Sequence, residues 1–453
     1  MILFILLLCG IFFLGSSFTS LFKCKLSWWE RFGLAYGLGL GTLTFGVFLP
    51  SLVGAPFDKY TLVFALAVWL ATIWYVKRKR RDELNLRIHW DRPSLPEITL
   101  AGGILLVSLA SLFESVVQPI WSLDAVAIWA VKGKAIFSLG TVRVAGDYGY
   151  HAFYPLNIPI AIALFYYFGE PFVKSIFPFY FMAMLMVFYG SLKRHGCRNT
   201  AFAGTLILAL TPLVYVHSTI AYADLPMAFY YTSSVIYLYA FFKENNRAFL
   251  MLSSVLVGMG CWTRPDGPIW LFPNLAVLTI YALRRKQWLD PVLYAGPILF
   301  FFVPWSVFTH YIIKAGTIFY LDAALKSLKQ LLTLNIETAH LWKILCHFYR
   351  QCVAWGSSGL RWGYVWLLFF SVLLLYCTRI RKYSYLLALI GLDILVLFFI
   401  YYSALLDGRA VELRGGFNRV VLHFFPLVLF QTILLISDDI RRWRSKADTR
   451  RSY

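Results

Sequence analysis

Charge is scarce in this chain. Asp, Glu, Lys and Arg make up 14% of its 453 residues, and acids are outnumbered 22 to 42. A soluble chain of this length holds two or three domains, and so little charge with 60% hydrophobic residues excludes that class. Cysteine organises nothing. The seven (Cys9, Cys24, Cys197, Cys261, Cys346, Cys352, Cys377) are scattered and form no CxxC, so neither a disulfide framework nor a zinc site is indicated. Strand alternation is missing, and no internal repeat is visible. The net charge of +20 has no interleaved basic–aromatic surface with it, so it argues for basic cytoplasmic loops and against nucleic acid.

Apolar runs of about 17–22 residues recur instead, each long enough to cross a bilayer as a helix. Lipid leaves no partner for an unsatisfied backbone, so helices are the default. Ile2–Ser20 resembles a signal peptide but lacks a basic n-region, and Lys23, Lys25 and Arg31 follow it. A retained span with its N-terminus outside is expected. Spans Phe32–Val53 and Tyr60–Val76 lead to Lys77-Arg-Lys-Arg-Arg81, the strongest cytoplasmic marker. Ile98–Val117 then crosses outward. Leu156–Phe168 is too short to cross, and a crossing there would put Lys193-Arg194 outside. It is read as a helix embedded in the outer leaflet. Strict alternation of Phe172–Leu192, Ala201–His217, Met227–Phe242, Phe249–Trp262, Ile269–Leu283, Pro291–Ile312, Trp362–Cys377, Tyr385–Tyr402 and Val420–Ile436 then sets every strongly basic short loop on one side. The expectation is an all-α polytopic integral membrane protein of about 13 transmembrane helices. It comprises an N-terminal three-span segment, 1–97, and a larger transmembrane domain, 98–453. Outer loops fall at 118–157, 313–362 and 403–419, with the C-terminus cytoplasmic. Asp322–Leu334 and Glu337–Trp355 read as amphipathic helices on the outer surface.

Trp121–Phe137 carries the sharpest candidate. Asp124 opens a short apolar helix, either as a cap or as a general base. At ~100° per residue, Lys132 and Lys134 flank its direction, either to hold an anion or to snorkel. Asp224 sits in Tyr-Ala-Asp-Leu-Pro, an ordinary helix start, yet it is a second acid on the same face. Asp266 lies in turn chemistry, Arg-Pro-Asp-Gly, beside Arg264, whose residue type suits a phosphate. Arg419 and His423 are four apart and share one helix face, as interfacial anchors or as a phosphate clamp. His151 and Tyr154 complete the first outer loop. Glu114 lies in the outer half of its span and Asp393 near mid-membrane, where acids are costly and often functional. Asp124, His151, Asp224, Arg264, Asp266 and Arg419 all map to one side.

These pieces, in order, resemble the GT-C superfamily of membrane glycosyltransferases, most of all the branch with protein mannosyltransferases and the lipid A aminoarabinose transferase. The resemblance runs through Leu-Asp124-Ala-Val-Ala-Ile-Trp129-Ala-Val-Lys132-Gly-Lys134, Tyr154-Pro-Leu-Asn-Ile-Pro159, Tyr222-Ala-Asp224-Leu-Pro, Trp262-Thr-Arg264-Pro-Asp266-Gly and Arg419-Val-Val-Leu-His423-Phe-Phe-Pro426. It covers roughly residue 98 to the C-terminus. It implies an inverting transfer of a sugar from a polyprenyl-phosphate donor to an envelope glycan, lipid or protein acceptor. The active site would lie on the outer face of a bacterial or archaeal plasma membrane. Asp124 stands at the family's base, with Asp224 as a second catalytic acid. Arg264, Arg419, Lys132 and Lys134 would bind the donor phosphate, and His151, Tyr154, Asp266 and His423 the substrates. The paired acidic motif of the protein mannosyltransferases is absent, since Ala125 follows Asp124. That leaves the acceptor and any divalent cation open. The rival readings are a multi-pass transporter or lipid flippase, and a ligase of lipid-linked glycan. A transporter expects polar groups at the bilayer midplane, whereas most charges here gather at span ends.

Overall fold

The computed structural model describes residues 2–80, 93–315, 327–330, 332–333, 336–406, 408–409 and 415–451. Every regular element among them is a helix. Most of the expected amphipathic segment Asp322–Leu334 lies outside the described residues, as do Arg81 and Arg414.

The chain begins with α1 (Ile2–Thr19), α2 (Trp28–Ser51), α3 (Lys59–Arg80) and α4 (Leu95–Val117). Glycine lets α1 and α2 touch backbone to backbone. A methyl added at Gly39 would sit 2.0 Å from the Ile11 carbonyl oxygen, and one at Gly15 would sit 1.8 Å from that of Ala35. Close approach of small residues is how helices associate where lipid removes the hydrophobic drive. Within its span α2 is 89% buried, whereas α4 is 17% buried. α2 therefore runs through the core of the bundle, whereas α4 lies at its surface.

A π-helix, Ala125–Ala130, continues into α5 (Val131–Leu139). Next comes α6 (Asn157–Tyr166), whose ten residues rise only ~15 Å, half the bilayer core. It is covered by protein more than by lipid, since Asn157 to Phe165 are all buried. Asn157 pins it. Thr44 Oγ1 of α2 donates to Asn157 Oδ1 at 2.6 Å, and Asn157 Nδ2 donates to Thr263 Oγ1 at 2.8 Å.

The remaining helices are α7 (Ile176–His195), α8 (Arg198–Leu210), α9 (Pro212–Thr219), α10 (Asp224–Glu244), α11 (Arg247–Thr263), α12 (Leu271–Arg285), α13 (Leu289–Val307), α14 (Thr338–Phe348), α15 (Trp355–Trp362), α16 (Val365–Leu375), α17 (Ser384–Leu406), α18 (Phe417–Leu422) and α19 (Phe425–Arg451). One expected single span, Ala201–His217, is broken, and a second bend falls at the start of another, Trp362–Cys377. α8 and α9 meet at 62°, where Pro212 has no N–H to continue the ladder. α15 and α16 meet at 108° through Gly363 and Tyr364, both at positive φ.

Seven described helices are long and apolar enough to cross a membrane, or nine if each bent pair counts as one span. The other four expected crossings also fold as helices, namely α10, α11, α12 and α19. α10 has the length, at 21 residues, but Tyr, Ser and Thr dilute its hydropathy. Its residues from Asp224 to Phe242 are all buried, so protein and not lipid surrounds it. α11 and α12 are short, at 17 and 15 residues, and the second half of α19 carries Asp438, Asp439 and arginines.

The bundle has two ionic ends. At one, Arg194 pairs with Glu30 at 2.8 Å, Arg198 with Glu97 at 3.1 Å, Arg247 with Asp290 at 2.8 Å and Lys382 with Asp438 at 2.6 Å. The opposite end gathers Asp124, Asp224, Arg264, Asp266, Arg419 and His423.

Candidate active site

The π-helix Ala125–Ala130 begins directly after Asp124, and the Asp124 carboxylate makes no cap hydrogen bond. Ordinary capping is thus not its role. Single π-turns inside helices concentrate at functional sites. Asp224 is the first residue of α10, and its carboxylate is likewise taken by side chains of other elements. Arg264 ends α11 in extended backbone, and the chain turns sharply, with Gly267 N–H donating to the Arg264 carbonyl at 3.0 Å. A methyl at Gly267 would lie 2.6 Å from Cys261 Cα, so only glycine fits that turn. The turn lays Arg264 Nε on Asp266 Oδ1 at 2.7 Å.

With α18, which carries Arg419 and ends at His423, these elements build an ionic chain. Arg419 Nη1 donates to Asp124 Oδ2, and Arg419 Nε lies 3.2 Å from Asp224 Oδ2. Arg264 Nη1 donates to Asp224 Oδ1 at 2.6 Å. His423 closes the chain, with Nδ1 3.3 Å from Asp266 Oδ2 and Nε2 3.5 Å from Asp224 Oδ1. Both arginines use Nε and Nη1 on carboxylates, while their Nη2 atoms donate to nothing among the described residues. Burial raises the Asp266 carboxyl, but Arg264 and His423 outweigh it and hold it well below the usual range.

A cavity of about 420 Å³ opens on this chain. Asp124, Arg264, Asp266 and Arg419 form its ionic wall, and His151 and Tyr154 line it as well. Ile128, Ile269, Ile400 and Tyr401 supply apolar surface. Few convergent polar groups on a largely apolar wall is the usual make-up of a ligand site.

Asp224, expected as a second catalytic acid, is fully buried and absent from the cavity wall. It holds both arginines. His423, expected to bind substrate, is also fully buried and lies between Asp224 and Asp266. The two lysines part company. Lys134 is exposed and makes none of these contacts. Lys132 is fully buried, and its Nζ donates to the His151 carbonyl at 2.6 Å. Burial lowers its ammonium to about 7.

Sequence reasoning missed Tyr222 and Trp270 as site residues. The Arg419 guanidinium lies 4.5 Å from the Tyr222 ring centre, and the Tyr222 hydroxyl shares a 2.5 Å hydrogen bond with Ser122. Trp270 Nε1 donates to Asp266 Oδ2 at 3.4 Å. Tyr222 had a signal in its place two residues before Asp224, whereas Tyr401, mid-helix among apolar residues, had none. Among the described residues, no group of three or more His, Cys, Asp or Glu is arranged to hold a metal ion.

A family described as dolichyl-phosphate-mannose-protein mannosyltransferase matches residues 154–310. The match supports a GT-C glycosyltransferase. No match was found among curated proteins or among solved structures. The matched stretch includes Tyr154, Asp224, Arg264 and Asp266. Asp124 and Arg419 lie on either side of it in sequence and reach the same cavity in space.

Proposed function

We propose that the protein is an inverting glycosyltransferase. It moves a sugar from a polyprenyl-phosphate donor to an envelope glycan, lipid or protein acceptor at the outer membrane face. The observation that carries this reading is the wall on which Arg419 and Arg264 stand beside Asp124. An arginine Nη2 pair suits a phosphodiester, which takes charge-assisted, often bidentate, hydrogen bonds.

In this mechanism Arg419 exchanges Asp124 for the donor phosphate. That frees the carboxylate as a base. Asp124 takes the proton of an acceptor hydroxyl, whose oxygen bonds to the anomeric carbon. The carbon–oxygen bond to phosphate breaks, and polyprenyl phosphate leaves with the electron pair, its charge held by Arg264 and Arg419. One displacement inverts the anomeric centre. Asp224, Asp266 and His423 keep the arginines in place.

The test is release of polyprenyl phosphate from a panel of synthetic polyprenyl-phosphate sugars by purified wild type and Asp124→Asn. Release by wild type alone supports the reading and places the base. Undiminished release by the variant removes Asp124 from the mechanism. Movement of lipid or solute across wild-type vesicles, without release, supports a transporter. Transfer of a whole glycan from a lipid-linked oligosaccharide supports a ligase.

A further inference from the structure

Lys132 has no carboxylate partner among the described residues, although its ammonium is wholly buried. Its contacts are the His151 carbonyl at 2.6 Å and the face of the Tyr154 ring, 5.8 Å from Nζ to centroid. A buried cation held only by a carbonyl and a ring is costly, and it is absent from the cavity wall where a phosphate would sit. What it does hold is unusual backbone. His151 sits at φ 59°, a left-handed conformation uncommon for a side-chain-bearing residue. The same loop is tied twice more to the helix that begins after Asp124. Tyr150 N–H donates to the Ala127 carbonyl at 3.0 Å, and a methyl at Gly149, φ 78°, would lie 2.6 Å from that carbonyl. The result is a flat stack. The His151 ring lies 4.7 Å from Tyr154, their planes 13° apart, and both line the same cavity as Asp124 and Arg419.

We propose that Lys132 is a positioning residue that sets this His151–Tyr154 shelf, and that the exposed His151 side of the shelf receives the sugar ring of the donor. A π face carries partial negative charge, and the polarised C–H face of a pyranose or furanose complements it. Phosphate and sugar are then recognised separately. The arginines take the phosphate, and the shelf orients the anomeric carbon toward Asp124. This inference rests on the glycosyltransferase reading.

The experiment compares two ligands, bare polyprenyl phosphate and polyprenyl-phosphate hexose, binding to the full chain in nanodiscs. Lys132→Met keeps volume and removes the donor. His151→Asn removes the ring yet tolerates the left-handed backbone, so it serves should the buried variant not fold. Each variant is expected to lose about tenfold in affinity for the sugar-bearing lipid, or about 1.4 kcal/mol. Each keeps its affinity for the bare lipid phosphate. Equal losses on both ligands would place Lys132 in the phosphate site and overturn the proposal, and so would no loss on either. Wild type that binds both ligands equally removes the shelf and leaves the phosphate clamp standing. Wild type that binds neither overturns the glycosyltransferase reading itself.

Discussion

Asp124 and Arg419 are 295 positions apart, yet their side chains share a hydrogen bond on the cavity wall. Asp124 is 36% exposed at its side chain, so removing its charge costs little folding energy. Asp124→Asn is expected to lower turnover by at least ~10²-fold, the usual contribution of a positioned base, with an unchanged melting temperature in detergent. Asp224 is the opposite case. It is fully buried between two arginines, and cutting one member from a buried ionic group costs about 3–5 kcal/mol. Asp224→Ala should therefore lose stability first and activity with it, read as a lowered unfolding midpoint. Lys132 adds a pH dependence. Its folded value, about 7, lies below the ordinary 10.5. Between those values the unfolded chain holds a proton that the folded chain has released, so stability contributed here rises from pH 7 toward 10.5 and is lost as pH falls to 7. A Lys132→Met variant should show a flatter stability profile across that window.

At the scale of elements, close backbone contact is the weak point. The Arg264–Gly267 turn gives Arg264 and Asp266 their mutual geometry, and Gly267 leaves no room for a methyl against Cys261. Gly267→Ala should cost about 1–3 kcal/mol, the range for overpacking a tight site, and should reduce donor affinity, since Arg264 shifts with the turn. Unchanged donor affinity in a destabilised variant would separate the turn from the site. The element pattern was largely legible in hydropathy, because each apolar run is a local property. The breaks were less so. Pro212 marks one bend in sequence, whereas the 108° bend at Gly363–Tyr364 follows from two left-handed residues that periodicity does not register. α6 read as a short apolar helix, and only packing shows that protein encloses it.

For the whole molecule, the two ionic ends give an orientation test. Tyr150 is exposed near the cavity, and Cys377 is exposed among the basic residues of 377–383. On intact cells an impermeant thiol reagent should modify a Tyr150→Cys variant at that position and reach Cys377 only after permeabilisation, as mass spectrometry of the labelled peptides would show. The reverse pattern would place the cavity on the cytoplasmic side.

Sequence alone determined the membrane class and the helical architecture, since apolar run length is read residue by residue. It also nominated Asp124, Arg264 and Arg419, from residue type and position, as candidates that the structure brings to one cavity. Tertiary structure decided their partners. It buried Asp224 and His423 behind the wall, turned Lys132 toward a carbonyl and left Lys134 in the open. It also brought in Tyr222, Trp270 and Tyr401. The reason is physical. Hydropathy is a sum over neighbours in the chain, but an ion pair depends on distance in space, and the pairs of this site join residues up to 295 positions apart.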